Sequence, residues 1–230
     1  MNYFVIILLL IISYLLGSVP SGYLLGKYIK KIDITKTGSK STGATNTTRI
    51  LGPKLGVIAL LFDLIKGVII MSILIIFELD QFYILDQFYL VKEVNILSLY
   101  GMIAVFGHVF SIFLNFRGGK AVATSAGVLL FLTPLVGLIT ITLFIIIVLV
   151  TKYVSLGSII ASMFGAILSL VLSLTKTSNF LTIATPSLSE IPLFYSLSFI
   201  VLALLIAFRH HQNIVRLINK EENKLKLKRS

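Results

Sequence analysis

AVATSAGVLLFLTPLVGLITITLFIIIVLV, residues 121–150, is the stretch that decides how many helices this chain contains. It carries no charge, and as one helix its 30 residues would run about 45 Å, longer than a hydrocarbon core of about 30 Å. Pro134 follows Thr133 near the middle, where a proline breaks or kinks a helix. The stretch therefore predicts a short helix over 121–131 and a full one over 134–150. A short, broken helix at membrane depth is tolerated where it lines a polar cavity.

The rest of the chain has the same apolar character. It is 230 residues long and 57% hydrophobic, with runs such as NYFVIILLLIISYLLG at 2–17, and its mean hydropathy is +1.02. Long uncharged runs predict membrane helices. The first run lacks a charged segment before it and a clean cleavage site after it, so we expect a retained helix rather than a signal peptide. The absence of cysteine excludes disulfides and cysteine-based metal sites.

Charge is distributed unevenly between the apolar stretches. Six stretches can be marked: 3–26, 54–77, 96–115, 121–150, 154–174 and 191–208. Residues 27–50 and the tail from 209 are rich in Lys and Arg, whereas 78–95 is acidic. The positive-inside rule places the two basic segments in the cytoplasm and the acidic one outside. An outside N-terminus and an inside C-terminus require an odd number of crossings, which splitting 121–150 supplies.

The predicted fold is an all-α integral membrane protein with seven transmembrane helices, one of them short or broken near Pro134. Its N-terminus is expected outside and its C-terminus in the cytoplasm. We expect a membrane domain over 1–208 with cytoplasmic motif loops at 27–53 and 115–124, and a basic cytoplasmic segment over 209–230. The net charge of +11 fits loops that face anionic lipid. Nucleic acid is a poorer partner, because these charges flank spans instead of forming one basic face. Nothing in the sequence indicates an oligomeric state.

The loop NFRGGKAVATSAG, residues 115–127, has the composition of an anion site. Gly118 and Gly119 let the backbone approach a ligand, Lys120 adds a positive charge, and a helix N-terminus follows. It is not a Walker A loop, because Leu114 and Ala121 stand where that motif needs Gly and Ser or Thr. The alternative is a glycine turn with a lysine that snorkels to the interface.

The opening loop TKTGSKSTGATNTTRILGP, residues 35–53, is small, hydroxylated and basic. Ser39 and Asn46 offer hydrogen-bond donors, and Arg49 offers a planar fork suited to phosphate oxygens. The alternative is a solvated connector that ends in an N-cap before the next helix.

Polar residues also lie within predicted spans. Asp63 and Lys66 are three apart and share a helix face; a structural ion pair is favoured, because an unpaired charge there costs several kcal/mol. His108 is either functional or a packed, hydrogen-bonded residue. Its surrounding HVFSIF excludes an HxxxxD acyltransferase box, since Phe113 occupies the acid position.

Two further groups lie at predicted membrane edges. His210 and Asn213, three apart, are expected on one helical face, where His210 would bind phosphate, move a proton or anchor the interface. Ser155 and Ser158 head another span, and such hydroxyls often only cap or back-bond a helix. We find no metal-ligand cluster and no nucleotide fingerprint in the sequence, so neither a metal nor a cofactor is predicted.

Six segments carry a family likeness: GSVPSGYLLGK, GSKSTGATNTTRILG, LLFDLIKG, GHVFSIFLNFRGGKAVAT, KYVSLGSI and RHHQNIVRL. In this order they resemble the motifs of the bacterial acyl-phosphate:glycerol-3-phosphate acyltransferase family (PlsY), over nearly the whole chain. The resemblance implies a seven-helix enzyme of the bacterial inner membrane with its active site facing the cytoplasm. It implies transfer of a fatty acyl group from acyl phosphate to the 1-hydroxyl of glycerol 3-phosphate. The products are lysophosphatidic acid, the first intermediate of phospholipid synthesis, and phosphate.

The resemblance also implies residue roles. It places Ser39 and Arg49 at the substrate phosphates with Asn46 nearby, Gly118, Gly119 and Lys120 in a phosphate loop, Ser155 or Ser158 beside them, and His210 and Asn213 from the last motif. Glu222 matches a structural glutamate. The expected catalytic residues are Ser39, Arg49, Lys120, His210 and Asn213, supported by Asn46, Asp63, Lys66, His108 and Glu222.

The chain departs from the family pattern at five positions. GSGN is GSKS here, so Lys40 and Ser41 replace glycine and asparagine, and a common upstream arginine is Thr35. Ser111 replaces a proline, and GGKG is GGKA through Ala121, a milder change that we expect the loop to tolerate. Lys40 could supply the charge that Thr35 lacks.

The expected mechanism is direct transfer, because no nucleophile has an activating base beside it. Arg49 and Lys120 would clamp phosphates, with Ser39 and Ser155 as donors. The proton acceptor is His210 or the substrate's own phosphate, and the resemblance favours the phosphate. A carrier of glycerol 3-phosphate or lipid phosphate is the main alternative, but we see one broken helix and no inverted repeat. A structural lipid-binding protein would leave the repeated glycines and hydroxyls unexplained.

Overall fold

The structure is a computed structural model that describes residues 3–76, 81–82, 94–95, 97–176 and 191–225. It divides into two compact units, Met1–Phe131 and Leu132–Ser230. In the described part of the first unit, the helices are α1 (Tyr3–Ser18), α2 (Ser21–Leu25), α3 (Ala44–Leu51), α4 (Pro53–Ile76), α5 (Leu97–Val109) and α6 (Val122–Leu132). A π-helical turn over Gly26–Lys30 extends α2, and 3₁₀ turns cover Ile34–Lys36 and Ile112–Leu114.

The strands of the described residues are short. β1 (Gln81–Phe82) and β2 (Val94–Asn95) pair antiparallel, with Gln81 opposite Asn95. In the second unit the described helices are α7 (Pro134–Thr151), α8 (Val154–Leu174), α9 (Leu193–Arg209) and α10 (His211–Ile218). The chain is thus almost entirely helical where it is described. Most of the acidic segment 78–95 lies outside the described residues.

The predicted break in the 121–150 stretch is confirmed. α6 ends at Leu132 and α7 begins at Pro134, which stands in its first turn. Proline suits that position, because its fixed φ is already helical and its missing N–H would have no partner there. The 11-residue α6 is too short to cross a hydrocarbon core alone, which needs about 20 residues.

Four described helices are long and apolar enough to cross a membrane: Pro53–Ile76, Leu97–Leu114, Pro134–Thr151 and Val154–Leu174. Two bent pairs bring the number to six. One joins Phe4–Ser18 to Ser21–Lys30 at 44°, so the 3–26 stretch is not one straight helix. The other joins Leu193–Arg209 to His211–Ile218 at 58°. Many side chains on these helices are large, apolar and exposed, among them Phe4, Phe62 and Leu138, as is expected of a lipid-facing surface.

Small residues and buried hydrogen bonds hold the helices together in each unit. In the first, a Cβ on Gly17 would overlap the carbonyl of Ala104, so α1 and α5 are in backbone contact. Ser13 Oγ crosses the same interface to Tyr100 O at 2.5 Å. In the second unit, Gly165 of α8 packs against Thr140 of α7. These close contacts are the usual means of helix association in lipid.

Candidate active site

Asn46 organises the opening loop from inside. It is buried on α3, and its side-chain nitrogen faces the carbonyls of Ile34, Thr37 and Ser41 at 3.2, 3.2 and 2.9 Å. Its side-chain oxygen accepts the backbone N–H of Ser39 at 2.9 Å. One side chain thereby fixes both ends of the turn. The family resemblance implies that Asn46 is a supporting residue near the site, but it does not predict this bonding.

Ser39 and Arg49 are displayed by this scaffold. Both side chains are exposed. The backbone of Ser39 is held by Asn46, and Arg49 lies three residues beyond Asn46 on the same short helix α3. A hydroxyl donor and a guanidinium fork are therefore presented on an ordered loop, as recognition of phosphate oxygens requires.

Thr35, where the family pattern has arginine, secures the start of the loop. Asp33 Oδ1 accepts bonds from Thr35 Oγ1 at 2.6 Å and Thr35 N at 3.0 Å. The hydroxyl bond from Thr35 is the main reason that the pKa of Asp33 lies below its ordinary value; desolvation opposes it, and the backbone bond from Thr35 and the charge of Lys36 lower the pKa further. Thr35, which stands in place of the family's arginine, therefore stabilises the local turn through Asp33.

Two departures from the family pattern fall at left-handed backbone positions. Lys40 has φ 58° and Ala121 has φ 69°, and each stands where the pattern has glycine. A side chain at positive φ costs roughly 1 kcal/mol relative to glycine. Ala121 is also fully buried. The expectation that this second change is mild took no account of its backbone conformation. Ser41 Oγ accepts Gly43 N at 3.3 Å, a bond that an asparagine could also accept.

Gly118 and Gly119 pack against the end of α5. A Cβ on Gly118 would overlap the carbonyl of His108, and one on Gly119 would overlap Nε2 of the same histidine. The N–H of Gly119 donates to His108 O at 3.0 Å. The glycines were expected to let the backbone approach a ligand. The structure shows that a side chain at either position would overlap His108, so glycine is needed for this packing. Lys120 follows at once and is half-buried.

Asp63 and Lys66 form the predicted ion pair and draw other groups to it. Lys66 Nζ lies 2.8 Å from Asp63 Oδ1 and donates to Val19 O at 3.1 Å. Ser21 Oγ donates to the same carboxylate oxygen at 2.7 Å, and His108 Nδ1 lies 3.6 Å from it. His108 is therefore part of a buried polar cluster. Ser21 was not identified from the sequence as a member of this cluster. Its position as a polar residue within the predicted span 3–26 was the signal that could have identified it.

Glu222 is the centre of the polar cluster in the second unit. Its Oε1 accepts from Asn213 Nδ2 at 2.8 Å and Ser155 Oγ at 3.2 Å, and its Oε2 accepts from Arg216 Nε at 2.8 Å. Burial acts to raise the pKa of Glu222, but the bonds from Arg216, Asn213 and Ser155 outweigh it, so the pKa is lowered. Arg216 is the ion-pair partner of Glu222.

His210 stands at the N-terminus of α10 and Asn213 follows three residues on in the same helix, with both side chains buried. His210 lies at the 58° break between α9 and α10. Its Nδ1 lies 2.8 Å from Ile206 O. A carbonyl only accepts, so Nδ1 carries the proton and the lone pair of the neutral ring is on Nε2. Ser158 makes the back-bond foreseen as its alternative, to Val154 O at 2.9 Å.

Comparisons with known proteins agree on one family. The family model described as glycerol-3-phosphate acyltransferase matches residues 7–220. The glycerol-3-phosphate acyltransferase of Macrococcus caseolyticus is 41% identical over 224 residues, covering 97% of this chain and 99% of that protein. The protein of the same name from Bacillus subtilis is 37% identical over 221 residues, with 96% and 98% covered.

Solved structures give the same result. The crystal structure of PlsY (YgiH), an integral membrane glycerol 3-phosphate acyltransferase, in its glycerol 3-phosphate form matches with a TM-score of 0.78. Its sequence is 31% identical, and the match covers 96% of this chain and 95% of that one. The lysophosphatidic acid form matches with a TM-score of 0.76. The chain belongs to the glycerol-3-phosphate acyltransferase family.

Proposed function

We propose that this chain transfers a fatty acyl group from acyl phosphate to the 1-hydroxyl of glycerol 3-phosphate, giving lysophosphatidic acid and phosphate. The family to which the chain belongs supports glycerol 3-phosphate as the acceptor. The solved structures that match the chain are described as a glycerol 3-phosphate form and a lysophosphatidic acid form. These are an acceptor and a product of such a transfer. The observation that carries the proposal within this chain is the display of Ser39 and Arg49 by a loop built around the buried Asn46.

The proposed reaction is one displacement at the acyl carbon. The 1-hydroxyl oxygen attacks, a new C–O bond forms, and the bond from the acyl carbon to the phosphate oxygen breaks. Phosphate leaves with that electron pair, and the hydroxyl proton passes to an acceptor. Acyl phosphate is the chemically suited donor, because phosphate is a good leaving group and no activated protein nucleophile is needed.

Within the first unit, we assign phosphate binding to Ser39, Arg49 and Lys120, with the Gly118–Gly119 turn holding the lysine. Cations and donors aimed at developing phosphate charge lower the barrier, and alignment of the acceptor supplies a further part. In the second unit, we assign Asn213 and Ser155 to the site because both donate hydrogen bonds to Oε1 of Glu222. For the proton, Nε2 of His210 and the substrate phosphate remain the two candidates, and we favour the phosphate.

We propose a location in the bacterial inner membrane with seven crossings, the N-terminus outside and the basic loop 27–53 and tail 209–230 in the cytoplasm. The four full-length helices and the two bent pairs supply six candidate spans in the described residues, and we assign the seventh crossing to the short segment that contains α6, as a broken helix at membrane depth. The charge distribution supports this orientation.

The test uses purified protein with palmitoyl phosphate and glycerol 3-phosphate, and follows phosphate release. We expect release that needs both substrates and falls at least ~100-fold in Arg49→Ala, the loss typical of removing a preorganised charge. Lys54→Ala removes an exposed cation at the start of α4 and should leave the rate unchanged. Saturable glycerol 3-phosphate binding without release would instead indicate a carrier.

A further inference from the structure

Side chains from three helices of the first unit approach one carboxylate oxygen of Asp63. Its Oδ1 is shared by Lys66 of α4, Ser21 of α2 and, at 3.6 Å, Nδ1 of His108 on α5. Asp63 is 1% exposed and His108 is 5% exposed. The imidazole is therefore enclosed and oriented, with its Nδ1 edge toward the carboxylate.

The opposite edge of the same ring supports the Gly-Gly-Lys turn. A Cβ on Gly119 would overlap Nε2 of His108, so the backbone of Gly119 packs directly against the ring. The N–H of Gly119 also donates to the backbone O of His108 at 3.0 Å, which holds the turn against the same residue. Lys120 is the next residue, so any movement of this support displaces the lysine backbone.

We propose that His108 is a positioning residue for the reaction. Its imidazole, which faces Asp63 at 3.6 Å, sets the position of the Gly118–Lys120 turn and thereby places the Lys120 ammonium that binds a substrate phosphate. This inference rests on the proposed function for the role of Lys120. The contact between His108 and Gly119 is independent of that role.

The pair of glycines offers a matched test. A methyl at position 119 meets a side chain, whereas a methyl at 118 meets the backbone carbonyls of His108 and Val109. Truncating His108 therefore makes room for Gly119→Ala but not for Gly118→Ala. The variants are His108→Ala, Gly119→Ala, Gly118→Ala and the two double variants, each in the full chain purified as monodisperse protein.

We expect Gly119→Ala to lose about 100-fold in kcat/KM, as a misplacement of roughly 1 Å can cause. His108→Ala alone should raise KM for one phosphate substrate about tenfold with a smaller change in kcat, since loss of placed binding weakens affinity first. His108→Ala combined with Gly119→Ala should match His108→Ala alone, a recovery of about tenfold from the single glycine variant. His108→Ala combined with Gly118→Ala should show no recovery.

Additive losses in the His108–Gly119 double variant, equal recovery at Gly118, or an unchanged KM in His108→Ala would overturn the proposal. If Gly119→Ala yields no monodisperse protein, recovery of that protein only in its double variant supports the contact, and KM in His108→Ala decides the positioning role. If wild type releases no phosphate, the proposed function fails. The same comparison is then made on the Kd of glycerol 3-phosphate, where recovery supports the positioning role and additivity contradicts it.

Discussion

At Asn46, one amide serves four backbone groups of the opening loop. Replacing Asn46 with Ala would leave the carbonyls of Ile34, Thr37 and Ser41 and the N–H of Ser39 without it. Buried polar groups that lose their partner cost about 1–3 kcal/mol each, less where water enters. We expect a large loss of acyl transfer and a lower thermal midpoint, measured by phosphate release and by unfolding in detergent. Thr45→Ala, at the exposed neighbouring position, should change neither; an active, stable Asn46→Ala would contradict this account.

Ala121 adopts a conformation that glycine adopts without cost. Because its φ is 69°, Ala121→Gly should stabilise the protein by about 1 kcal/mol. Ala126→Gly, the same substitution inside α6, should destabilise by about 1 kcal/mol. Unfolding free energies of both variants provide the check. Changes of the same sign would show that position 121 is not left-handed.

At the scale of elements, Glu222 joins the segment after α10 to the start of α8. Its pKa is lowered in the folded protein, so its contribution to stability is full above the ordinary glutamate value of 4.5 and is lost as pH falls through the lower folded value. Wild type should therefore exceed Glu222→Gln in thermal midpoint at pH 7, and the difference should shrink toward pH 4 and below. Glu221→Gln, at an exposed neighbour, is the control. A gap that widens on acidification would contradict the assigned pKa shift.

Some element boundaries could be read from the sequence because a local cause fixes them. Pro134 starts α7 wherever the rest of the chain lies, and the Asp63–Lys66 pair follows from helical spacing. The break at His210 could not be read, since nothing local marks it and the 209–217 segment looks like one amphipathic run. The reason for Gly119 was also hidden, because its partner His108 is brought to it by the packing of α5 and the turn. Local chemistry was predictable, and contacts set by packing were not.

At the scale of the whole molecule, the charge distribution predicts the orientation of the chain in the membrane. The chain has no cysteine, so single cysteines can be labelled without background. Under the positive-inside rule, a membrane-impermeant maleimide added to intact cells should label Asp86→Cys and spare Ser41→Cys. After permeabilisation both should react. Labelling of Ser41→Cys in intact cells would reverse the orientation.

Product stoichiometry tests the proposed acyl transfer as a whole reaction. Purified protein is given palmitoyl phosphate and radiolabelled glycerol 3-phosphate, and labelled lysophosphatidic acid and free phosphate are counted together. We expect equal amounts of both products, neither forming when a substrate is omitted. Phosphate release without glycerol 3-phosphate, or bound glycerol 3-phosphate with no labelled lysophosphatidic acid, would contradict it.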